Sequence, residues 1–161
     1  MERFETFTIC IGQIYRCIQK IKHNEMTELG LRGTHVMCLY FLGRHPEGLT
    51  ASELARICDE DRAAISRSVS ELETRGYLFC ETESGHKKYR SHLFLTELGN
   101  KAAELIYPKI DHALDLGGEG LNEQERSVFY SSLSLISSNL MNFCTEKKRR
   151  QASEEDMGEQ E

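Results

Sequence analysis

The sequence predicts a mainly α-helical protein with one small β-hairpin, an α+β fold class that rests on three observations. Both ends of the 161-residue chain carry apolar residues at helical spacing. The middle of the chain holds short segments that are opened or closed by helix caps and glycines. Two strand-like segments flank a polar turn. Long helices at the two ends are therefore expected to flank a lobe of short helices and a hairpin.

Each end of the chain is expected to form a helix with an apolar stripe along one side. The N-terminal stripe repeats at intervals of three and four through Phe4, Phe7, Ile11, Ile14, Ile18 and Ile21. The C-terminal helix has a start signal at Asn122 and Glu125 and is expected to end in the basic run 147–150. Its apolar stripe consists of Phe129, Leu133, Ile136, Leu140 and Phe143. The stripes pack either inside one chain or between two chains. We favour a homodimer, because long apolar seams generally find a partner helix.

The central lobe is expected to begin with two helices. A largely buried helix spans Leu31 to Arg44. Thr50-Ala51-Ser52-Glu53 is a capping box, in which a hydroxyl and a carboxylate satisfy the free N–H groups of a helix start. It opens a short helix from Ser52 to about Cys58.

A further helix and a hairpin complete this lobe. The acidic residues at 59–61 favour a helix from Arg62 to Arg75, which Gly76 ends in a left-handed conformation. Strands are expected at Tyr77–Cys80 and Ser91–Leu95. A short helix, a tight turn, a second helix and a hairpin with a basic tip are typical of a winged helix-turn-helix.

The rest of the chain is expected to be helical. Thr96 caps a helix to about Leu116 that Pro108 bends or breaks, and glycines at 117–120 form a hinge. We therefore expect an N-terminal dimerisation helix at 1–30, the winged helix-turn-helix lobe at 31–100, C-terminal dimerisation helices at 101–150 and a disordered acidic tail at 151–161.

The charge distribution allows a specific DNA-binding protein and excludes a non-specific polycation. The net charge is −6, but five of the 26 acidic residues lie in 151–161, which leaves 21 acidic against 20 basic residues elsewhere. Recognition of nucleic acid depends on a local patch rather than on net charge.

The outer face of the helix at 62–75 is the strongest candidate for such a patch. Ile65, Val69 and Leu72 fall on one side and are expected in the core. The opposite side is small, hydroxylated and basic, with candidate DNA contacts at Arg62, Ala63, Ser66, Arg67 and Ser70. Small side chains permit close approach to the major groove, where arginine binds guanine O6 and N7. An ordinary solvated helix is the alternative, although it would more often carry Lys and Glu here.

The hairpin tip supplies a second basic cluster. Its candidate DNA contacts are Lys87, Lys88 and Arg90, which suit phosphates or a narrow minor groove. A solvated charged turn is the alternative, and Glu81 and Glu83 at the base weaken the patch. The helix and the hairpin tip together favour DNA binding.

At motif level, residues 31–99 resemble the MarR-type transcriptional regulators. The resemblance is carried by Leu49-Thr50-Ala51-Ser52-Glu53-Leu54-Ala55, by Asp61-Arg62-Ala63-Ala64-Ile65-Ser66-Arg67-Ser68-Val69, by Leu72-Glu73-Thr74-Arg75-Gly76-Tyr77-Leu78 and by Leu95-Thr96-Glu97-Leu98-Gly99. It implies a homodimer on a pseudo-palindromic double-stranded DNA operator, usually a repressor that a small molecule or an oxidant releases. The family's wing commonly carries Asp-x-Arg, where this chain has Lys87 and Tyr89, so either Lys88 or Arg90 takes the arginine role.

The resemblance also suggests what is sensed. Some members sense oxidants through a cysteine in the N-terminal helix, where this chain has Cys10 and Cys17. Seven residues rise about 10.5 Å along a helix, so these two cannot form a disulfide within one helix and would act singly or across a dimer. Small interface residues are the alternative role. A small aromatic or apolar effector is the default implied by the resemblance.

Other functional classes find no support in the sequence. The chain has no Gly-rich phosphate loop, nucleophile elbow or HExxH motif, and no cysteine or histidine pair with metal-ligand spacing, so we expect neither an enzyme nor a metal or other cofactor. The longest apolar run, Val36 to Leu42, is far shorter than the roughly 20 residues that span a bilayer. We therefore expect a cytoplasmic protein without a membrane partner. The alternative function is a winged-helix adaptor that binds proteins instead of DNA.

Overall fold

The computed structural model describes residues 2–27, 30–81 and 91–158, with side chains at 2–22, 30–81 and 91–147. These residues divide into two compact units, 1–114 and 115–161. The helices are α1 (Arg3–Thr27), α2 (Gly33–Arg44), α3 (Ala51–Cys58), α4 (Arg62–Thr74), α5 (Glu97–Gly117) and α6 (Glu123–Gly158). The strands are β1 (Leu49–Thr50), β2 (Leu78–Glu81) and β3 (His92–Leu95). The mainly helical α+β class is confirmed.

The three strands form one antiparallel sheet in the order β1-β3-β2. The predicted hairpin pairs Leu78 with Leu95 and Glu81 with His92. The sequence analysis missed β1, which pairs Leu49 with Leu93. A two-residue strand is too short to show the alternation by which strands are recognised.

The core of the first unit lies among α2, α3, α4, the sheet and the first half of α5. Its fully buried side chains include Leu39, Leu54, Ile65, Leu72, Leu78 and Ile106. Burying each such side chain contributes about 1.5–3 kcal/mol. Since Ile106 belongs to this core, the lobe extends into α5, beyond the boundary expected at residue 100.

The predicted start and stop signals of the short helices are confirmed. The Thr50 N–H donates to Glu53 Oε2 at 2.8 Å, and the Glu53 N–H donates to Thr50 Oγ1 at 3.2 Å. The Asp61 carboxylate accepts from the Ala64 N–H at 2.8 Å. Gly76 has φ +75°, a conformation that a side chain disfavours. The turn between α3 and α4 and the end of α4 are thus fixed locally.

Of the bend or break expected at Pro108, the break does not occur, because α5 runs unbroken from Glu97 to Gly117. Proline removes only its own N–H from the helix, and the buried Ala102, Ala103 and Ile106 hold the preceding turns in the core.

The C-terminal helix does not end in the basic run 147–150, and residues 151–158 are not disordered, because α6 continues to Gly158. No glycine or proline precedes Gly158 in α6, and the Gln, Ala and Glu residues after the basic run favour helix. The start of α6 is as expected, with the Asn122 N–H donating to Glu125 Oε2 at 2.8 Å and the Glu125 N–H donating to Asn122 Oδ1 at 3.0 Å. Across the described ranges, no helix combines the length and the apolar character needed to cross a membrane.

Candidate nucleic-acid interface

Helix α4 has one buried and one exposed side. Ile65 and Leu72 are fully buried, and Val69 is partly buried against the same core. The opposite side carries the five predicted contact residues, and all of them are exposed: Arg62, Ala63, Ser66, Arg67 and Ser70. The sequence pattern therefore placed the outward face of α4 correctly.

The N-terminal end of α4 is electrostatically suited to an anion. Its first turn carries no acidic residue, and the Asp61 cap engages the Ala64 N–H. The helix dipole makes this end positive. Within the part of the chain that the structure describes, no ion pair engages the guanidinium of Arg62 or of Arg67. Both groups are thus available to an external partner.

A buried histidine ties α4 to α2. His35 is 2% exposed, and its Nε2 lies 3.1 Å from Glu71 Oε2. The Arg32 N–H donates to His35 Nδ1 at 3.3 Å, so the neutral ring carries its proton on Nε2, which lies near Glu71 but is not aligned for a hydrogen bond with any described residue. Arg32 Nη1 contacts Glu71 Oε1 at 3.3 Å. Burial lowers the pKa of His35, although the charge of Glu71 opposes the shift. Sequence reasoning missed this contact because its two residues lie on different helices.

The end of α4 is tied to the sheet and to α5. The Thr96 hydroxyl donates to the Gly76 carbonyl at 2.6 Å and accepts from the Gly99 N–H at 3.1 Å. A Cβ at Gly99 would collide with the carbonyl oxygen of Tyr77. The Leu-Thr-x-x-Gly segment therefore joins the stop of α4, the exit of β3 and the start of α5. Thr96 caps α5 as predicted.

The predicted wing contacts Lys87, Lys88 and Arg90 lie outside the described residues, in the segment 82–90. The base of the hairpin is described. Phe79 of β2 and Phe94 of β3 stack with ring centroids 5.6 Å apart. A Cβ at Gly48 would lie 2.6 Å from the Phe94 ring. The glycine therefore allows the backbone at residue 48 to pack directly against Phe94 at the base of the hairpin.

An apolar pocket of about 270 Å³ lies among α1, α2 and α5 within the first unit. Its wall includes Ile18, Ile21, Val36, Tyr40, Ile110 and Leu114. Lys22 and Lys109 border it through the aliphatic parts of their side chains, so the lining is almost wholly apolar. The family resemblance implied a small aromatic or apolar effector. The residues of this pocket could not be identified from the sequence, because they come from three separate helices.

The two apolar stripes are exposed. All six stripe residues of α1 are exposed, from 38% at Ile21 to 75% at Phe4. On α6 the stripe is also exposed, apart from the partly buried Leu133. Cys10 and Cys17 are exposed on α1, and their sensing role stays a prediction.

Comparisons with known proteins find similarity to transcriptional regulators. A model of the MarR family matches residues 29–88. Among curated proteins, the chain is 25% identical over 130 residues to an uncharacterized HTH-type transcriptional regulator, YybA of Bacillus subtilis (strain 168). That alignment covers 81% of this chain and 85% of the relative.

Solved structures share the fold. The transcriptional regulator SlyA is 25% identical with a TM-score of 0.75, over 83% of this chain and 93% of that chain. A MarR family regulator from Listeria monocytogenes, solved in complex with a 26-mer DNA, is 27% identical with a TM-score of 0.73, over 83% and 87% of the two chains. The S. aureus MepR–DNA complex, at 18% identity and a TM-score of 0.75, is similar in fold.

Proposed function

We propose that this chain is a winged-helix transcriptional regulator of the MarR family and that it acts as a homodimeric repressor of a pseudo-palindromic operator. Members of this family are DNA-binding regulators rather than enzymes, in agreement with the expectation that the chain catalyses no reaction. In our proposal α4 enters the major groove and the hairpin contacts the adjacent backbone.

The outward face of α4 is the observation that carries the proposal. It presents two exposed guanidinium groups that form no ion pair with the described residues, among alanine and serine side chains that permit a close approach to base edges. Arg62 at the positive helix end suits a phosphate, and Arg67 one turn further along suits a base. The buried contact of His35 with Glu71 holds this face in a fixed orientation on α2.

The exposed stripes support the homodimer. Apolar side chains along a helix are costly in water, and a second copy of the chain offers the same stripe to cover them. A two-fold symmetric dimer presents two α4 helices to the DNA, and such proteins bind half-sites about one helical turn apart. A symmetric operator is therefore the expected target.

The pocket supports release by a small aromatic or apolar effector. Its volume of about 270 Å³ is close to the lower end of ligand pockets, and its almost wholly apolar lining suits a small aromatic or apolar effector. Val36 in the pocket wall follows His35 directly in α2. An effector that moves α2 therefore acts on the His35–Glu71 contact that orients α4. Oxidation of Cys10 or Cys17 is the alternative trigger.

Fluorescence anisotropy with the DNA upstream of the protein's own gene tests the proposal, with a scrambled duplex as the control. We expect selective binding whose affinity falls with salt at a log–log slope of about −0.9 for each neutralised phosphate. Arg67→Ala should reduce the selectivity, whereas Lys101→Ala, which removes an equal charge from α5, should not. A folded dimer that binds neither duplex at any salt concentration would contradict the proposal and favour the adaptor function.

A further inference from the structure

The connection between α1 and α2 makes polar contacts with the second half of α4. Its described residues Gly30, Leu31 and Arg32, which we call the link, directly precede α2. Arg75 Nη1, from the C-cap residue of α4, donates to the Gly30 carbonyl at 2.9 Å. Arg32 Nη1 donates to Glu71 Oε1 at 3.3 Å. Leu31 is buried in the core, so two directed contacts flank an apolar one.

Glu71 and Arg75 are placed to act together. They are four residues apart, which puts their side chains on the same side of the helix. The Arg75 guanidinium also lies 5.2 Å from the centroid of the Tyr77 ring, and Tyr77 packs against the core. Attraction between the cation and the ring helps to hold the guanidinium in place for its contact with the link.

The start of α2 contacts both α1 and α4. A Cβ at Gly33, the first residue of α2, would lie 3.6 Å from the Cβ of Lys22 on α1. Two residues further on, His35 Nε2 lies 3.1 Å from Glu71 Oε2. The segment 30–35 therefore touches the helix that carries the apolar stripe and also the helix that carries the candidate DNA contacts.

We propose that Glu71 and Arg75 are positioning residues that hold α4 at a fixed place relative to α1 and so set the half-site spacing that the dimer accepts. This inference rests on the proposed function, in which α1 pairs two chains and α4 enters the major groove. Apolar burial is not directional, so it permits small shifts of a helix. Hydrogen bonds have a preferred geometry and oppose such shifts. Neither residue is among the candidate DNA contacts, and both side chains are engaged with segment 30–35.

The spacing of the operator reports the position of α4. One base pair added between the half-sites moves one of them by about 3.4 Å along the DNA and about 35° around it. A dimer with fixed α4 helices then loses base contacts in one half-site, and a single bidentate contact is worth about 5- to 150-fold in affinity. A dimer whose α4 helices can shift recovers part of that loss.

The test compares operators of altered spacing. The wild-type protein first selects its preferred inverted repeat from random duplexes. Fluorescence anisotropy then gives the dissociation constants for this repeat and for the same repeat with one base pair added or removed, and their ratio is the spacing penalty. In Arg75→Gln and in Glu71→Gln we expect the spacing penalty to fall by a factor of about five or more, the lower end of the usual coupling between two sites.

Glu73→Gln is the matched control, because it removes the same charge from an exposed position of α4, and it should keep the wild-type spacing penalty. A variant that is only less stable lowers the affinity for every operator by the same factor and leaves the penalty unchanged. Hydrogen exchange examines the link without DNA. In Arg75→Gln the amides of residues 31–33 should exchange about fivefold faster than in the wild type, while those of α3 should not change.

Unchanged exchange of residues 31–33 would show that Arg75 does not hold the link. Faster exchange with the wild-type spacing penalty in both variants would overturn the role in operator spacing, as would a wild-type dimer that binds all spacings equally. Failure of the wild-type protein to bind any duplex would instead overturn the proposed function, and the exchange result would still decide whether Arg75 holds the link to α4.

Discussion

Helices α1 and α4 both leave one face exposed, but the chemistry of the two faces is opposite. The exposed face of α4 carries Arg62, Ser66, Arg67 and Ser70, whereas the stripe of α1 is made of phenylalanine and isoleucine. Water solvates the first face well and the second poorly. The difference indicates two kinds of partner: a charged, hydrogen-bonding ligand for α4 and a second apolar surface for α1.

The largest effect is expected from charging the α1 stripe. In the double variant Ile11→Glu/Ile14→Glu, each copy loses about 1.5–3 kcal/mol per buried isoleucine and must also bury a carboxylate. We expect the dimer dissociation constant, measured by sedimentation equilibrium, to rise more than about 100-fold.

Gln19→Glu is the control for this variant, because it adds a carboxylate to α1 away from the stripe. It should leave the dimer intact. An unchanged dissociation constant in the double variant would show that the α1 stripe is not the dimer interface.

A smaller effect is expected from the two arginines of α4. A bidentate base contact is worth about 1–3 kcal/mol, so Arg67→Ala should lower operator affinity about 5- to 150-fold and lower affinity for random DNA much less. Arg62→Ala should weaken binding to both duplexes alike and reduce the salt slope, as expected for a phosphate contact. Anisotropy titrations on both duplexes separate the two roles. Equal losses for Arg67→Ala on both duplexes would remove Arg67 from base recognition.

The smallest effect is a pH dependence of folding stability that arises from His35, whose contact with Glu71 ties α2 to α4. The pKa of His35 is lower in the folded protein than its ordinary 6.5, so the unfolded chain binds more protons between these two values. The contribution of His35 to stability is therefore complete above about pH 6.5 and is lost as the pH falls through that window toward the folded pKa. Urea unfolding at about pH 7.5 and 5 should show this loss.

His35→Gln should remove part of that pH dependence, whereas His112→Gln, at an exposed histidine, should leave it unchanged. If the free energy of unfolding depends on pH equally in the wild type and in His35→Gln, the titration of His35 does not contribute to that dependence.

The sequence predicted those parts of the fold that depend on neighbours along the chain. The Thr50–Glu53 capping box, the Asp61 cap and the Gly76 stop are local, and all three were found. The exposure of the outward face of α4 followed from helical periodicity alone, and contact of its residues with DNA stays a prediction. The prediction that α6 ends in the basic run was wrong. Basic residues stabilise the C-terminal end of a helix, but they do not end it where no glycine or proline follows.

The features that the sequence did not predict depend on residues far apart in the chain. His35 and Glu71, for example, are brought together by the packing of α2 on α4. No spacing rule reveals such pairs, because any residue of one helix can face any residue of another. The residues that line the pocket are also far apart in the sequence, because they come from α1, α2 and α5.

Selection of binding sites from a pool of random duplexes tests whether a homodimer binds a symmetric operator through α4, because it depends on the α4 face and on the dimer stripe together. We expect enrichment of an inverted repeat whose half-sites lie about 10 base pairs apart, and loss of that enrichment in Arg67→Ala. Enrichment of an asymmetric sequence, or of no sequence at all, by a protein that remains a folded dimer would contradict this expectation.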